Sequence, residues 1–204
     1  MSERKADIAI VGTMAYVAAK SDVSIVDLSV PEEPVVVGSV AVEGQARRIV
    51  VSGNHAYGAA VSGVHVVDIS DPTSPTLAAT YNQPTGEAYD VAVSGSTLYV
   101  AVFAWAATSA GLEVLDISNP ASPSLVTKVS CQPRVVSVSA NNLLVVEHSG
   151  DLRLYDISGE VPGGYSPKLT PSVRAAITAA LFGSTCFTLS MASRIGTARI
   201  SGGS

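Results

Sequence analysis

The feature that most constrains this chain is a repeat. Val64-His-Val-Val-Asp-Ile-Ser-Asp-Pro-Thr-Ser-Pro75 recurs as Leu112-Glu-Val-Leu-Asp-Ile-Ser-Asn-Pro-Ala-Ser-Pro123 and as Val23-Ser-Ile-Val-Asp-Leu-Ser-Val-Pro-Glu-Glu-Pro34. Leu152-Arg-Leu-Tyr-Asp-Ile-Ser158 is a fourth copy with an altered turn, and Ile195-Gly-Thr-Ala-Arg-Ile-Ser201 is a worn fifth. The aspartates of the first four copies stand at 27, 68, 116 and 156, spaced 41, 48 and 40. An independent marker has the same period: Gly12, Gly53, Gly95, Ala140 and Gly183 share one turn position, spaced 41, 42, 45 and 43. A chain that repeats on this scale is one supersecondary unit stacked on itself.

Each unit reads as four short strands. Strand a ends at the turn glycine, and strand b follows it, as in Ala15-Tyr-Val-Ala18. Strand c is the Val-Val-Asp-Ile-Ser segment, and strand d follows the Pro-x-x-Pro turn, as in Ser124 to Ser130. Val, Ile, Tyr and Thr fill the strands while Gly, Asn, Ser and Pro punctuate them. No helix of useful length is expected; Ala175-Ala-Ile-Thr-Ala-Ala180 has helical propensity but falls in register with the other a strands. Strands a to c are nearly continuously apolar, so both faces need cover, as when twisted sheets stack around an axis. Four-stranded units of this length are the signature of propeller blades. Low aromatic content (5%) and many small residues suit a close approach of sheets.

Gly-Val-His-Val-Val-Asp-Ile-Ser-Asp-Pro and Gly-Leu-Glu-Val-Leu-Asp-Ile-Ser-Asn-Pro resemble the LVIVD repeat of bacterial and archaeal β-propeller proteins. The resemblance covers units one to three well and units four and five loosely. It implies a propeller, in a family that is largely uncharacterised and often found on cell surfaces. The expected fold is therefore all-β, one five-bladed β-propeller domain over residues 1–204. Its blades fall near 6–42, 46–83, 88–130, 134–171 and 174–201, and the last lacks its outer strand.

Composition closes several doors. Of 204 residues, 47% are hydrophobic and 14% charged, which excludes a disordered chain. Twelve bases against 17 acids, with no basic block, argue against nucleic acid as a partner. The charge-free runs Val91 to Leu112 and Ala175 to Ser193 are each broken by a turn signal, so no membrane span is expected. The segment after Met1-Ser-Glu-Arg-Lys5 is too short for a signal peptide, which makes the cytoplasm the default compartment. Cys131 and Cys186 read as buried free thiols in preference to the one bridge they could form.

No catalytic motif stands out: there is no Gly-x-Ser-x-Gly and no phosphate-binding glycine loop. The repeated aspartates read as turn caps ahead of proline, since one acid per unit does not make a calcium site. His55, His65 and His148 fall in different units or at opposite strand ends, so no metal site and no cofactor are expected. Asp7, Arg48 and Asp90 occupy one column at the start of strand a, where a propeller has its channel mouth; their alternating signs predict structural pairing between blades. Unit four has Val135 there and unit five Thr178.

The loops entering strand a and those joining b to c share one face, with Gln45, Arg47, Glu87, Tyr89, Gln132, Arg134 and Arg174 on it. Unit three carries six extra residues within Phe103-Ala-Trp-Ala-Ala-Thr-Ser-Ala110. Phe103 and Trp105 either anchor a partner or fold back over the blade. The expected role is a non-enzymatic scaffold that presents this face to a protein or glycan. The alternative is a small-molecule-binding or hydrolytic propeller with its site at the channel mouth. A monomer closed by packing of blade one on blade five is favoured over a dimer paired through bare edges, because Arg194 and Arg199 guard the last edge.

Overall fold

The computed structural model describes residues 7–19, 21–44, 46–83, 86–104, 109–158, 188–190 and 199–201, the last six through their backbone alone. Every regular element among them is a strand. Three four-stranded antiparallel sheets follow one another in strict chain order. The first holds β1 (Asp7–Val11), β2 (Met14–Ala18), β3 (Asp22–Asp27) and β4 (Val35–Ala41). The second holds β5 (Ala46–Ser52), β6 (His55–Ala60), β7 (Gly63–Asp68) and β8 (Thr76–Asn82). The third holds β9 (Glu87–Ser94), β10 (Thr97–Phe103), β11 (Gly111–Asp116) and β12 (Ser124–Val129). Next comes a three-stranded sheet of β13 (Pro133–Ser139), β14 (Asn142–Glu147) and β15 (Leu152–Asp156). Finally, β16 (Thr188–Ser190) pairs with β17 (Arg199–Ser201).

The repeat marks are where local chemistry demands them. Asp27, Asp68, Asp116 and Asp156 each accept, through Oδ1, the amide of the serine two residues on, at 2.8 to 3.0 Å. These Asx turns aim the chain into the proline bend. The amides of Ser70 and Ser118 hold the Asp68 and Asp116 carboxyls below their usual range, with the serine hydroxyls adding to the effect. Gly12, Gly53 and Gly95 have φ of 61°, 56° and 56° at the a–b turn, and a Cβ there would meet nothing. Ala140 holds the same left-handed conformation, φ 50°, with a side chain. A left-handed L residue costs about 1–2 kcal/mol, partly offset by the extra freedom glycine has when unfolded. Ala140→Gly should therefore stabilise by about 1 kcal/mol, or raise Tm by about 2–4 °C. Calorimetry showing no gain, or a loss, would count against strain at this turn.

Burial corrects one expectation. Strands b and c of the second and third sheets are buried on both faces, as β7 and β11 show over five consecutive residues. Strand a is not: β1 and β13 alternate with exposed positions, and Ile8 and Ile10 are 57% and 64% exposed. The reason is position. The a strands pack side by side, β1 on β5, β5 on β9 and β9 on β13, and one edge of that row lines a cavity. Apolar clusters fill the spaces between successive sheets, with Tyr16, Ile25, Ile49 and Val67 in the first and Tyr57, Val66, Leu98 and Leu115 in the second. Tyr99, Leu112, Leu143 and Tyr155 fill the third. Burying such side chains stabilises by about 1.5–3 kcal/mol each, so sheet-to-sheet stacking is the main source of stability. Cys131 is a buried free thiol whose pKa burial raises; Cys186, strand d of unit four, strand a of unit five and Arg194 lie outside the described residues.

Candidate binding site

Two networks grow from one irregularity repeated in three sheets. In β5, β9 and β13 the pairing with strand b skips a residue, so Arg47, Tyr89 and Arg134 stand unpaired in β-bulges at equivalent positions. A bulge twists the strand and redirects its side chains. Expected as loop residues, Arg47, Glu87, Tyr89 and Arg134 are thus residues of strand a, near its start. Phe103 is likewise the last residue of β10, paired with Glu87, and not part of the insertion. The ladder continues past the bulge because Ala88 still pairs with Val102.

The residues that follow the bulges tie sheets together across the cavity. Arg48 Nε donates to Asp90 Oδ1 at 2.8 Å, and its Nη1 lies 3.5 Å from Asp7 Oδ1. Asp7 Oδ2 accepts the Ile49 amide of the next sheet, and Asp90 Oδ2 accepts the Val136 amide of the next, at 3.0 and 2.9 Å. Asp90 also accepts its neighbour Val91 N at 3.0 Å. Asp90 and, more weakly, Asp7 raise the Arg48 pKa. The cavity beside them, ≈ 440 Å³, is walled by Ile, Val and Ala from β1, β5, β9 and β13, with Ser137 the one hydroxyl among the described lining residues. The expected column is therefore present and paired, and each Asp90 oxygen is already in use as an acceptor.

The bulged residues build the second network on the rim. Arg47 Nη2 pairs with Glu87 Oε2 at 2.5 Å, and its guanidinium carbon lies 4.1 Å from the centre of the Tyr89 ring. Tyr89 packs on Phe103 at 5.1 Å between centroids, and Phe103 on His148 at 5.9 Å, tilted by 51° and 47°. The row thus crosses the second, third and fourth sheets. Arg134, at the equivalent bulge of β13, is exposed with no ion pair among the described residues. Trp105, Gln45 and Arg174 lie outside the described residues.

Sequence reasoning missed His148 as a neighbour of Phe103, because strand b of another unit brings it there. It also missed a buried polar column in strand c. His65 is 1% exposed and donates through Nε2 to the Glu43 carbonyl while Nδ1 meets Thr80. Glu113, also 1% exposed, meets Lys128, Tyr81 and Gln83 at 3.2, 3.2 and 2.9 Å. Burial, with Glu113 next, pushes Tyr81 up to about 12. These contacts anchor the linkers between sheets, and Lys128 also donates to the Ser109 carbonyl, tethering the end of the long unit-three loop. The signal was available: Ser24, His65, Glu113 and Arg153 hold one repeat position. Among the described residues no three His, Cys, Asp or Glu side chains converge to hold a metal, and no helix is long and apolar enough to cross a membrane.

Three segments of the chain, residues 4–42, 43–83 and 85–131, match the LVIVD repeat family. No curated protein matches the sequence. Among solved structures, similarity extends to a functionally unknown protein from Desulfotomaculum acetoxidans DSM 771, with 14% identity and a TM-score of 0.64 over 79% of this chain and 54% of that one. The computationally designed Ika4 protein matches at 10% identity and TM-score 0.60, over 78% of this chain and 94% of that one. The N-terminal domain of Nup159 matches at 10% identity and TM-score 0.55, over 91% and 48%. The chain thus spans about half the length of two of these three structures, and the likeness is one of fold.

Proposed function

The chain belongs to the LVIVD repeat family, and from that premise we propose a five-bladed propeller, monomeric and non-enzymatic, whose rim docks a protein or glycan partner. Residues 174–201 make the fifth unit by the repeat spacing. Their place in such a ring is against Ile8 and Ile10, the exposed face of β1. Light scattering should then return a mass near 20.8 kDa; twice that mass would favour edge pairing.

The observation that carries the docking role is the Arg47–Tyr89–Phe103–His148 row. It spans three sheets on a rigid scaffold, where binding groups concentrate. Arginine and tyrosine are also the residue types that dominate interface energetics. Trp105 joins this proposal through its position in the insertion that follows Phe103. The test begins with partners captured and identified from the native host. Trp105→Ala and Phe103→Ala should each weaken binding by about 2 kcal/mol or more while the fold persists. Unchanged binding would leave these residues idle; unfolding of both variants would make them core.

A site at the cavity mouth is the second reading, favoured by the cavity's size, which is that of a small-molecule pocket. Against a hydrolytic version stand the Asp90 oxygens, both already accepting hydrogen bonds, and the absence of His, Glu or Cys among the described residues that line the cavity. Screens with esters, phosphates and glycosides should be blank, and turnover abolished by Arg48→Ala would reverse the choice.

A further inference from the structure

We propose that β4, the outer strand of the first sheet, accepts an extended peptide as a fifth strand, selecting an uncharged, β-branched stretch flanked by lysine or arginine.

Three observations carry this. β4 (Val35–Ala41) ends its sheet, and its side away from β3 pairs with no described strand. Unpaired N–H and C=O groups along such an edge are a template for another strand. The side chains of β4 are also apolar and unclaimed. Val35 and Val36 are 56% and 63% exposed. Successive residues of a strand point to opposite faces, so both faces are open at this end. The other outer strands turn side chains inward: Thr80 and Tyr81 of β8 meet His65 and Glu113, and Lys128 of β12 meets Glu113. No β4 side chain makes a hydrogen bond or ion pair among the described residues. Finally, the two ends are acidic. Pro34 to Val42 carries no charge, while Glu32, Glu33 and Glu43 are exposed beside it with no ion pair among the described residues.

Charge decides the occupant. If two copies paired antiparallel about a two-fold axis at Gly38, the centre of β4, Glu33 of each would face Glu43 of the other. Like charges directly opposite are destabilising, so a second copy fits poorly. A basic residue at each end of the added strand turns both clashes into attractions. Main-chain hydrogen bonds then supply affinity, and the valines and terminal glutamates supply selectivity. The bulge at Val37 twists the edge, which suits one added strand and resists flat stacking of many. Pro72 of the next unit packs closely on Gly38 and braces the strand from behind.

The probe is a fluorescent peptide, Lys-Thr-Val-Thr-Val-Thr-Val-Thr-Val-Thr-Lys, titrated with the full chain and read by anisotropy. Its lysines are spaced as Glu33 and Glu43 are. One control peptide replaces both lysines by glutamate, and another N-methylates the three central residues. The lysine peptide should bind, and the glutamate peptide should bind about tenfold more weakly. The N-methylated peptide should not bind, because it cannot complete the ladder. Val36→Lys should weaken the lysine peptide by about tenfold or more. The double variant Glu33→Lys, Glu43→Lys should reverse the preference between the lysine and glutamate peptides. Thermal unfolding checks that both variants fold, which is expected because all three positions are exposed. No binding of the lysine peptide, equal binding of the lysine and glutamate peptides, undiminished binding of the N-methylated one, or a preference that the double variant leaves unreversed would overturn the proposal. A mass that doubles with concentration and reverts on Val36→Lys would overturn it too, in favour of self-pairing.

Discussion

Asp90→Ala should lower the unfolding free energy by about 3–5 kcal/mol, the usual cost of breaking a buried charged network. Asp90 is 3% exposed and serves three donors on three sheets: Arg48, its own neighbour Val91, and Val136. Truncation strands two buried amides, each costing about 1–3 kcal/mol to leave unmade. It also strips Arg48 of its shorter ion pair, a lesser loss because that side chain is 48% exposed. Asp7→Ala is the comparison, since Asp7 is 22% exposed and binds one amide beyond its 3.5 Å contact with Arg48. It should cost about 1 kcal/mol. Denaturant titration of both variants separates these values. Equal losses would mean that the two aspartates are not graded by burial and that Asp90 is no special tie between sheets.

Gly63→Ala should be nearly as damaging, at about 4 kcal/mol. At φ +137° the backbone is in a region that L side chains rarely adopt, worth about 1–3 kcal/mol of strain. An added Cβ would also sit 2.0 Å from the Tyr81 carbonyl oxygen and 2.9 Å from the Gln83 amide nitrogen. Both are backbone atoms and cannot rotate away, so strands β7 and β8 must part, at the upper end of the 1–3 kcal/mol typical of overpacking, roughly. Gly111 opens strand c of the next sheet, but it has no positive φ, and the backbone atom nearest an added Cβ is the Val129 carbonyl oxygen at 3.0 Å, against 2.0 Å at Gly63. Gly111→Ala should therefore cost less than half as much. If the two variants melt together, the close approach at Tyr81 is not what requires glycine.

Much of this architecture was legible because its causes are local and repeated. An aspartate two residues before a serine and four before a proline makes the same turn wherever it occurs, so Asp27, Asp68 and Asp116 mark the same bend in three units. The turn at Gly12, Gly53 and Gly95 needs a left-handed residue, and its spacing set the strand boundaries on either side. Even the pairing of Arg48 with Asp7 and Asp90 followed from the repeat, because residues at one register in stacked sheets become neighbours.

What the tertiary structure decided lies where one unit meets the next. Arg47 and Arg48 are adjacent and chemically identical, yet one grips Glu87 on the rim and the other Asp90 beside the cavity. The bulge that separates them is a property of strand pairing and has no residue type as its sign. Glu113 is a polar residue in an apolar strand, and Tyr81 and Gln83 of the preceding unit bond its carboxylate. Gly38 carries no positive φ and no turn signal, but a Cβ there would lie 2.2 Å from the Pro72 carbonyl oxygen of the neighbouring unit. The sequence by itself determined the repeated unit, because each turn closes on residues two to four positions away. Only the stacked sheets decided how Glu113 is enclosed, which arginine faces the rim and that Gly38 has no room for a Cβ. Those outcomes depend on atoms some 30 to 46 residues apart, and no local pattern encodes their distance.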